Sequence, residues 1–485
     1  MSQISFSLIP KNLRVPGAYA EFDNRHAVQG LVGQPYRVLI IGQMLSGSPM
    51  QPLTPVDITR AEEGALFGRG SMMAGMISAY KDNDSFTKLT AIGVLDDAAG
   101  NQADGTITLA GTANDAGTLN VYIGGRRVRV GVSANDTAAN VATALVAAIT
   151  ADPDSIVTAT ASAGAVTIKA RHKGEAGNEI DLRINYYTGE VTPSGLTVNI
   201  EAMSGGTANP DLSAVIAAMG DTWYNVIACP YTDAANLVQL EDELKSRFGP
   251  MRAIDGVAIA AKNANHAGLT TLGQSRNSPH LCICESYAYP RPSWERAAMM
   301  CAQTAYSAQN DPARPFQTLA LVGDMPPAEA TRFTLEERNL LLFDGIATHY
   351  TDAGGNVCIE RLITTYTENS QGAPDPSYLD ANTLFTLSYL RYTWRARVLQ
   401  RFPRMKLGND GARGDNVVTP KVMKGEMVAL AGDWADAGLI EELEAFKQNL
   451  VVSRPADDVN RLDIILPPDL MNQLRITAAR IDFRL

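Results

Sequence analysis

Two cysteines separated by one residue, Cys282 and Cys284, are the closest pair of cysteines in this 485-residue sequence. A Cys-x-Cys spacing could begin a metal site, but no second pair completes it. In an extended strand the two side chains point to opposite faces, so core packing is the simpler use. Cys229, Cys301 and Cys358 also lie in apolar surroundings, an odd and sparse set that reads as reduced core thiols rather than a disulfide framework. The histidines, His26, His172, His266, His280 and His349, are scattered without the i, i+4 spacing of a helical metal site. Gly68, Arg69 and Gly70, followed by Gly75, hint at a dinucleotide turn, yet the spacing does not fit and no strand leads straight into it. No nucleophile elbow or phosphate-binding loop is present. No catalytic, cofactor-binding or metal-binding residue is therefore assigned, and no cofactor is expected.

The composition, 45% hydrophobic and 19% charged, is that of an ordinary soluble globular protein. A formal charge of −11 repels nucleic-acid phosphates, and no basic stripe with interleaved aromatics offsets it, so direct nucleic-acid binding is not expected. No apolar run approaches the ~20 residues needed to span a bilayer. Residues 1–10 lack the basic start and cleavage site of a signal peptide, which points to synthesis in the cytoplasm without membrane insertion.

The elements that surround these residues predict an α/β core with an inserted small α+β domain, a C-terminal α+β domain, and extended N- and C-terminal arms. Residues 36–41 are a continuous apolar run between Pro35 and Gly42, the pattern of a strand covered on both faces. Residues 62–80 read as partly helical and 87–95 as a second strand. Residues 104–201 turn to Gly, Ala, Thr and Val in short runs and read as an inserted outer domain. Its clearest signal is a hairpin across Gly124 and Gly125, followed by a helix opened by Asp136, with further strands at 156–160, 165–170, 180–186 and 196–200. Helix and strand then alternate from 211 to 284, the pattern of a parallel sheet, with another strand at 318–322. Thr334 and Glu337 form a capping box, and a hairpin turns at residues 352–356. A long helix follows at 380–401, then a helix from 420 through 430 and a second short helix at 436–450. The predicted division is an N-terminal arm at 1–30, a core at 31–103 and 202–345, the insertion at 104–201, a helical and hairpin domain at 346–459, and a C-terminal arm at 460–485.

Both termini alternate apolar and polar residues in the manner of strands. Ile4, Phe6 and Leu8 do so at one end, and Ile481, Phe483 and Leu485 at the other, with Ile476 leading into the second run. A lone strand has no partner for its backbone donors and acceptors, so each arm is expected to pair within the chain or on a neighbouring copy. The strongest charge feature is the basic cluster Arg391, Arg395, Arg397, Arg401, Arg404 and Lys406. It reads either as a solvated helix face or as a docking surface for an acidic partner or an acidic patch, such as Glu441 to Glu444, on the next subunit.

Two terminal motifs, RVPGAYAEFDN at residues 14–24 and NRLDIILPPDLMNQLR at 460–475, resemble the tail sheath proteins of Mu-like contractile bacteriophages. Within the insertion, LNVYIGGRRVRV at 119–130 and KGEAGNEIDLR at 173–183 are similar to the outer insertion of that group. The resemblance spans nearly the whole chain. It implies a structural, non-enzymatic protein that stacks as hexameric rings in a helical array around a tail tube protein, with baseplate and tail terminator proteins as further partners. It also implies assembly in the host cytoplasm into the virion tail, strand exchange between neighbours through both arms, and contraction of a metastable array that drives the tube through the host envelope. The alternative reading is a soluble α/β enzyme or ligand-binding protein with an elaborated C-terminus.

Overall fold

Val38, Leu39, Ile40 and Ile41 have no polar residue between them because both faces of their strand are covered; all four are fully buried. This strand, Arg37–Gln43, lies inside an eight-stranded sheet of a computed structural model that describes residues 14–21 and 31–484. The sheet runs Val357–Arg361, Ile346–Thr351, Leu281–Glu285, Val257–Lys262, Val226–Ala228, Arg37–Gln43, Lys88–Val94, Pro55–Ile58. The middle strands from Ile346–Thr351 through Lys88–Val94 are all parallel, and each edge strand joins antiparallel. The helices Met72–Asn83 and Ser293–Asn310 pack on one another and on Arg37–Gln43.

The chain forms two compact units, Pro35–Tyr389 with Asn472–Leu485, and Met1–Gln34 with Leu390–Met471. The hairpin of Ile346–Thr351 and Val357–Arg361 belongs to the eight-stranded sheet, so it extends the core rather than opening a C-terminal domain at residue 346. The expected strand at 318–322 is a single bridge from Ala320 to Cys358. Thr318 (φ 66°) and Gly323 (φ 82°) turn the chain at both ends of that apolar stretch.

The insertion contains two antiparallel sheets. One has four strands, Leu196–Ser204, Gln102–Gly111, Ala165–Lys173 and Val157–Ser162, and the other has three, Arg126–Val132, Gly117–Ile123 and Leu182–Ile184. Gly124 (φ 54°) and Gly125 (φ 76°) form the two-residue turn their sequence requires, since both positions are left-handed. The helix Ala138–Ala151 is capped by Thr137, whose hydroxyl accepts from Asn140 N–H, rather than by Asp136, which instead accepts from Ser133 N–H.

A polar seam joins the insertion to the core. The Glu179 carboxylate accepts from Lys262 Nζ (2.7 Å), Ser293 Oγ (2.5 Å) and Asn263 N–H (3.1 Å). His172 Nε2 accepts from Met72 N–H (3.1 Å), which leaves its proton on Nδ1, 2.8 Å from Asp96. Burial alone would raise the Asp96 carboxyl, but His172, Lys173 N–H and the Gln43 amide outweigh it and hold it below the ordinary range.

A second buried polar group sits where Leu281–Glu285 ends. Arg296, fully buried, donates to Asp324 (2.8 Å) and to the Glu285 carbonyl (2.7 Å), and its guanidinium lies 3.4 Å from the centre of the Tyr289 ring. The Glu285 carboxylate faces His349 Nδ1 and the Tyr289 hydroxyl, each at 3.3 Å. Burial would raise this carboxyl, yet His349, Arg296 and Tyr289 hold it below its ordinary value. A carboxyl held low in the folded state contributes stability above its unfolded value, about 4.3 for Glu, and loses it as pH falls through the folded value. The melting temperature is therefore expected to be level between about pH 7 and pH 5 and to fall below about pH 4. Glu285→Gln should lower the plateau and flatten that fall; an unchanged slope in a pH series of thermal melts would contradict this.

In the second unit, the helix Pro420–Asp436 buries Met427, Leu430 and Trp434. The Trp434 indole donates to Thr393 Oγ1 (2.9 Å) and its ring meets Phe446 edge-on. The expected single helix over 436–450 is instead the end of this helix, a turn at Gly438 (φ 69°), a short strand Ile440–Glu441, and the helix Leu443–Asn449. Glu442 at φ 51° prevents one continuous helix.

Candidate assembly surface

The residues with chemical potential are occupied structurally. All five cysteines are buried and free, and burial pushes the Cys229 and Cys284 thiols up to about 12, out of the range of a nucleophile at neutral pH. His172 and His349 face separate carboxylates, and His266 meets the Glu337 carbonyl (3.1 Å). His26 lies outside the described residues. Among the described residues no three His, Cys, Asp or Glu side chains group as a metal site, and no helix is long and apolar enough to cross a membrane. The Gly68 to Gly70 turn serves packing: Arg69 pairs with Asp154 (2.6 Å), and a Cβ at Gly70 would meet the Ser155 carbonyl at 2.3 Å.

What the fold exposes is the C-terminal segment. Part of the expected arm is tied down: Asp463–Ile465 pairs antiparallel with Val451–Ser453, and Asp469–Leu470 with Ile440–Glu441. The arm proper therefore starts after Met471, not at residue 460. From there to residue 484 no strand forms among the described residues, and Ile476, Ile481 and Phe483 are 84%, 86% and 79% exposed. Alternation along 460–470 is equally strand-like, so only the presence of local partner strands separates the two stretches. Ile4, Phe6, Leu8 and Leu485 lie outside the described residues.

The basic cluster divides in two. Arg397 is largely buried against Pro420–Asp436, donating to Glu426 (2.9 Å) and also pairing with Asp433, and Arg401 lies 3.5 Å from Glu426. These two are ion-paired within their own unit. The sequence did contain the signal, since Glu426 and Asp433 are seven residues apart on one helix face. Arg395, Arg404 and Lys406 are exposed. Glu444 is exposed and pairs locally with Lys447 (2.6 Å), while Glu441 is half-buried in its short strand.

The described chain thus combines a largely parallel α/β sheet, an insertion of two antiparallel sheets, a helical unit and a terminal segment that forms no strand among the described residues. Three family models match consecutive stretches: the phage tail sheath protein beta-sandwich domain over residues 98–208, the phage tail sheath protein central domain over 205–365, and the phage tail sheath C-terminal domain over 373–484. The chain belongs to the phage tail sheath family, which is structural and not enzymatic. The tail sheath protein of the Mu-like prophage FluMu of Haemophilus influenzae is 40% identical over 484 residues, covering 99% of each chain. Among solved structures, the sheath tail protein of Desulfitobacterium hafniense aligns with a TM-score of 0.52 at 13% identity, covering 94% of this chain and 97% of that one. That of Listeria innocua aligns at 0.51 and 12% identity, covering 92% and 94%. A chain of the anti-feeding prophage baseplate in its contracted state aligns at 0.51 and 13%, covering 99% and 100%. At these identities the likeness is one of fold.

Proposed function

We propose that this chain is the subunit of a contractile sheath that stacks as hexameric rings around a tail tube, joined to its neighbours by strands exchanged through its termini. The observation that carries this reading is the exposure of Ile476, Ile481 and Phe483 on a segment with no ladder of its own. Backbone pairing is indifferent to the motions of the domains it connects, so exchanged strands would hold the array together while rings rotate and close up. Contraction would then need no fuel: repacking of subunits from a strained array into a lower-energy one would drive the tube through the host envelope. Arg395 and Glu444, both exposed on the helical unit, are the proposed contacts with the tube or a neighbour, together with Arg404 and Lys406. The assembly would form in the host cytoplasm, bounded by baseplate and terminator proteins, and enter the virion as its tail sheath.

Magnitudes suggest how assembly proceeds. Burying the three apolar side chains is worth roughly 1.5–3 kcal/mol each, whereas ordering ten residues costs on the order of 10–20 kcal/mol. One exchanged arm does not hold a dimer, so arms must act together with other faces in a ring, and assembly should be cooperative with a threshold concentration. Negative-stain imaging of the purified protein across a concentration series tests the reading. Rings or tubes above a threshold support it, and a small closed oligomer at every concentration contradicts it.

A further inference from the structure

The C-terminal segment changes character between Leu474 and Ile476. On the near side, the Gln473 amide donates to the Ala313 carbonyl (3.0 Å) and the Gln317 amide to the Leu474 carbonyl (3.4 Å). The Arg475 side chain is only 14% exposed, and its guanidinium donates to Asp380 (2.9 Å) and Asn382 (3.4 Å) and also meets Gln473. Asp380 simultaneously accepts the fork of Arg361 at 3.0 and 2.9 Å, and Arg361 is the last residue of the edge strand Val357–Arg361. On the far side, through residue 484, the one side-chain bond among the described residues is the local Arg480 to Asp482 pair (2.9 Å).

We propose that Arg361, Asp380 and Arg475 form a root clamp for the arm, holding the chain up to Arg475 on the subunit it belongs to and leaving residues 476–485 for exchange. Its role in a sheath rests on the function proposed above, while the clamp itself is a property of the single chain. One carboxylate between two guanidiniums makes charge-assisted hydrogen bonds, the stronger kind, and partial burial spares them from screening. Tension along the arm then passes through Asp380 into the edge of the eight-stranded sheet instead of peeling residues away one at a time. The clamp also sets reach. Ten extended residues span about 33 Å, so the acceptor edge on a neighbouring copy must lie within that distance of Arg475. Release back to Met471 would add about 13 Å and loosen the spacing between subunits.

Trypsin reads the clamp directly on the full-length unassembled chain, because cleavage after Arg475 requires its side chain to leave Asp380, whereas Arg480 is already exposed. Mass spectrometry of early digests should show cleavage after Arg480 well before cleavage after Arg475. Asp380→Asn should raise the initial rate at Arg475 by about tenfold or more through the larger open population, with the rate at Arg480 unchanged. Arg361→Gln, which removes the bond tying Asp380 to the sheet edge but keeps the Asp380 to Arg475 pair, should raise the Arg475 rate measurably but by clearly less than Asp380→Asn does. Equal cleavage at both sites in the unmodified chain would overturn the clamp, as would an Arg361→Gln effect as large as that of Asp380→Asn, which would signify general loosening. Failure of the purified protein to form tubes would bear on the sheath reading alone.

Discussion

Deleting residues 476–485 is expected to leave a folded subunit that no longer assembles. Within the described part of that stretch the one side-chain bond is local, and the large apolar side chains are exposed, so the melting temperature should change by no more than about 2 °C. Assembly should respond far more strongly under the exchange proposed above, in which every subunit would lose its contribution to a shared ladder at once and the losses would multiply around each ring. Sedimentation should show tube material reduced by at least about a hundredfold at a concentration where the full chain assembles. Tubes at normal yield would contradict the exchange, and an unfolded subunit would show that the segment supports its own core instead.

Arg296→Met should be the most damaging single change to the fold of the larger unit. It removes the guanidinium that offsets the buried Asp324, caps the Glu285 carbonyl and stacks on Tyr289. Breaking a buried pair by removing one partner costs about 3–5 kcal/mol, because the other charge remains without compensation. The double change Arg296→Met with Asp324→Leu should recover part of that loss in urea unfolding, since it removes both charges. A double variant as unstable as the sum of the two singles would show that Arg296 acts through packing alone.

Sequence patterns revealed elements whose determinants are local. Val38 to Ile41 declared a doubly covered strand, Gly124 and Gly125 a hairpin, and Thr334 with Glu337 a capping box that both side chains complete. The central insertion strand Gln102–Gly111 was hidden because its inward positions include Ala103 and Gly105, too small to mark a hydrophobic face. Apolar runs misled where a left-handed residue broke them, at Thr318 and at Glu442. The candidate surface was legible in part. Its alternation was plain, but whether a strand-like stretch is tied down depends on partners elsewhere in the chain, and this divides residues 460–470 from 476–484. The clamp at Asp380 joins residues 95 positions apart, and the Arg296 to Asp324 pair joins 28, distances over which no periodicity carries information.

Tracing the terminal arm by electron cryo-microscopy in assembled tubes tests most directly whether it pairs on a neighbouring copy, as proposed. The expected result is continuous density in which residues 476–485 of each subunit leave Arg475 and form a backbone ladder on an adjacent subunit. Density that folds those residues back into a sheet of their own chain, or leaves them without a strand partner on the assembled surface, would contradict it.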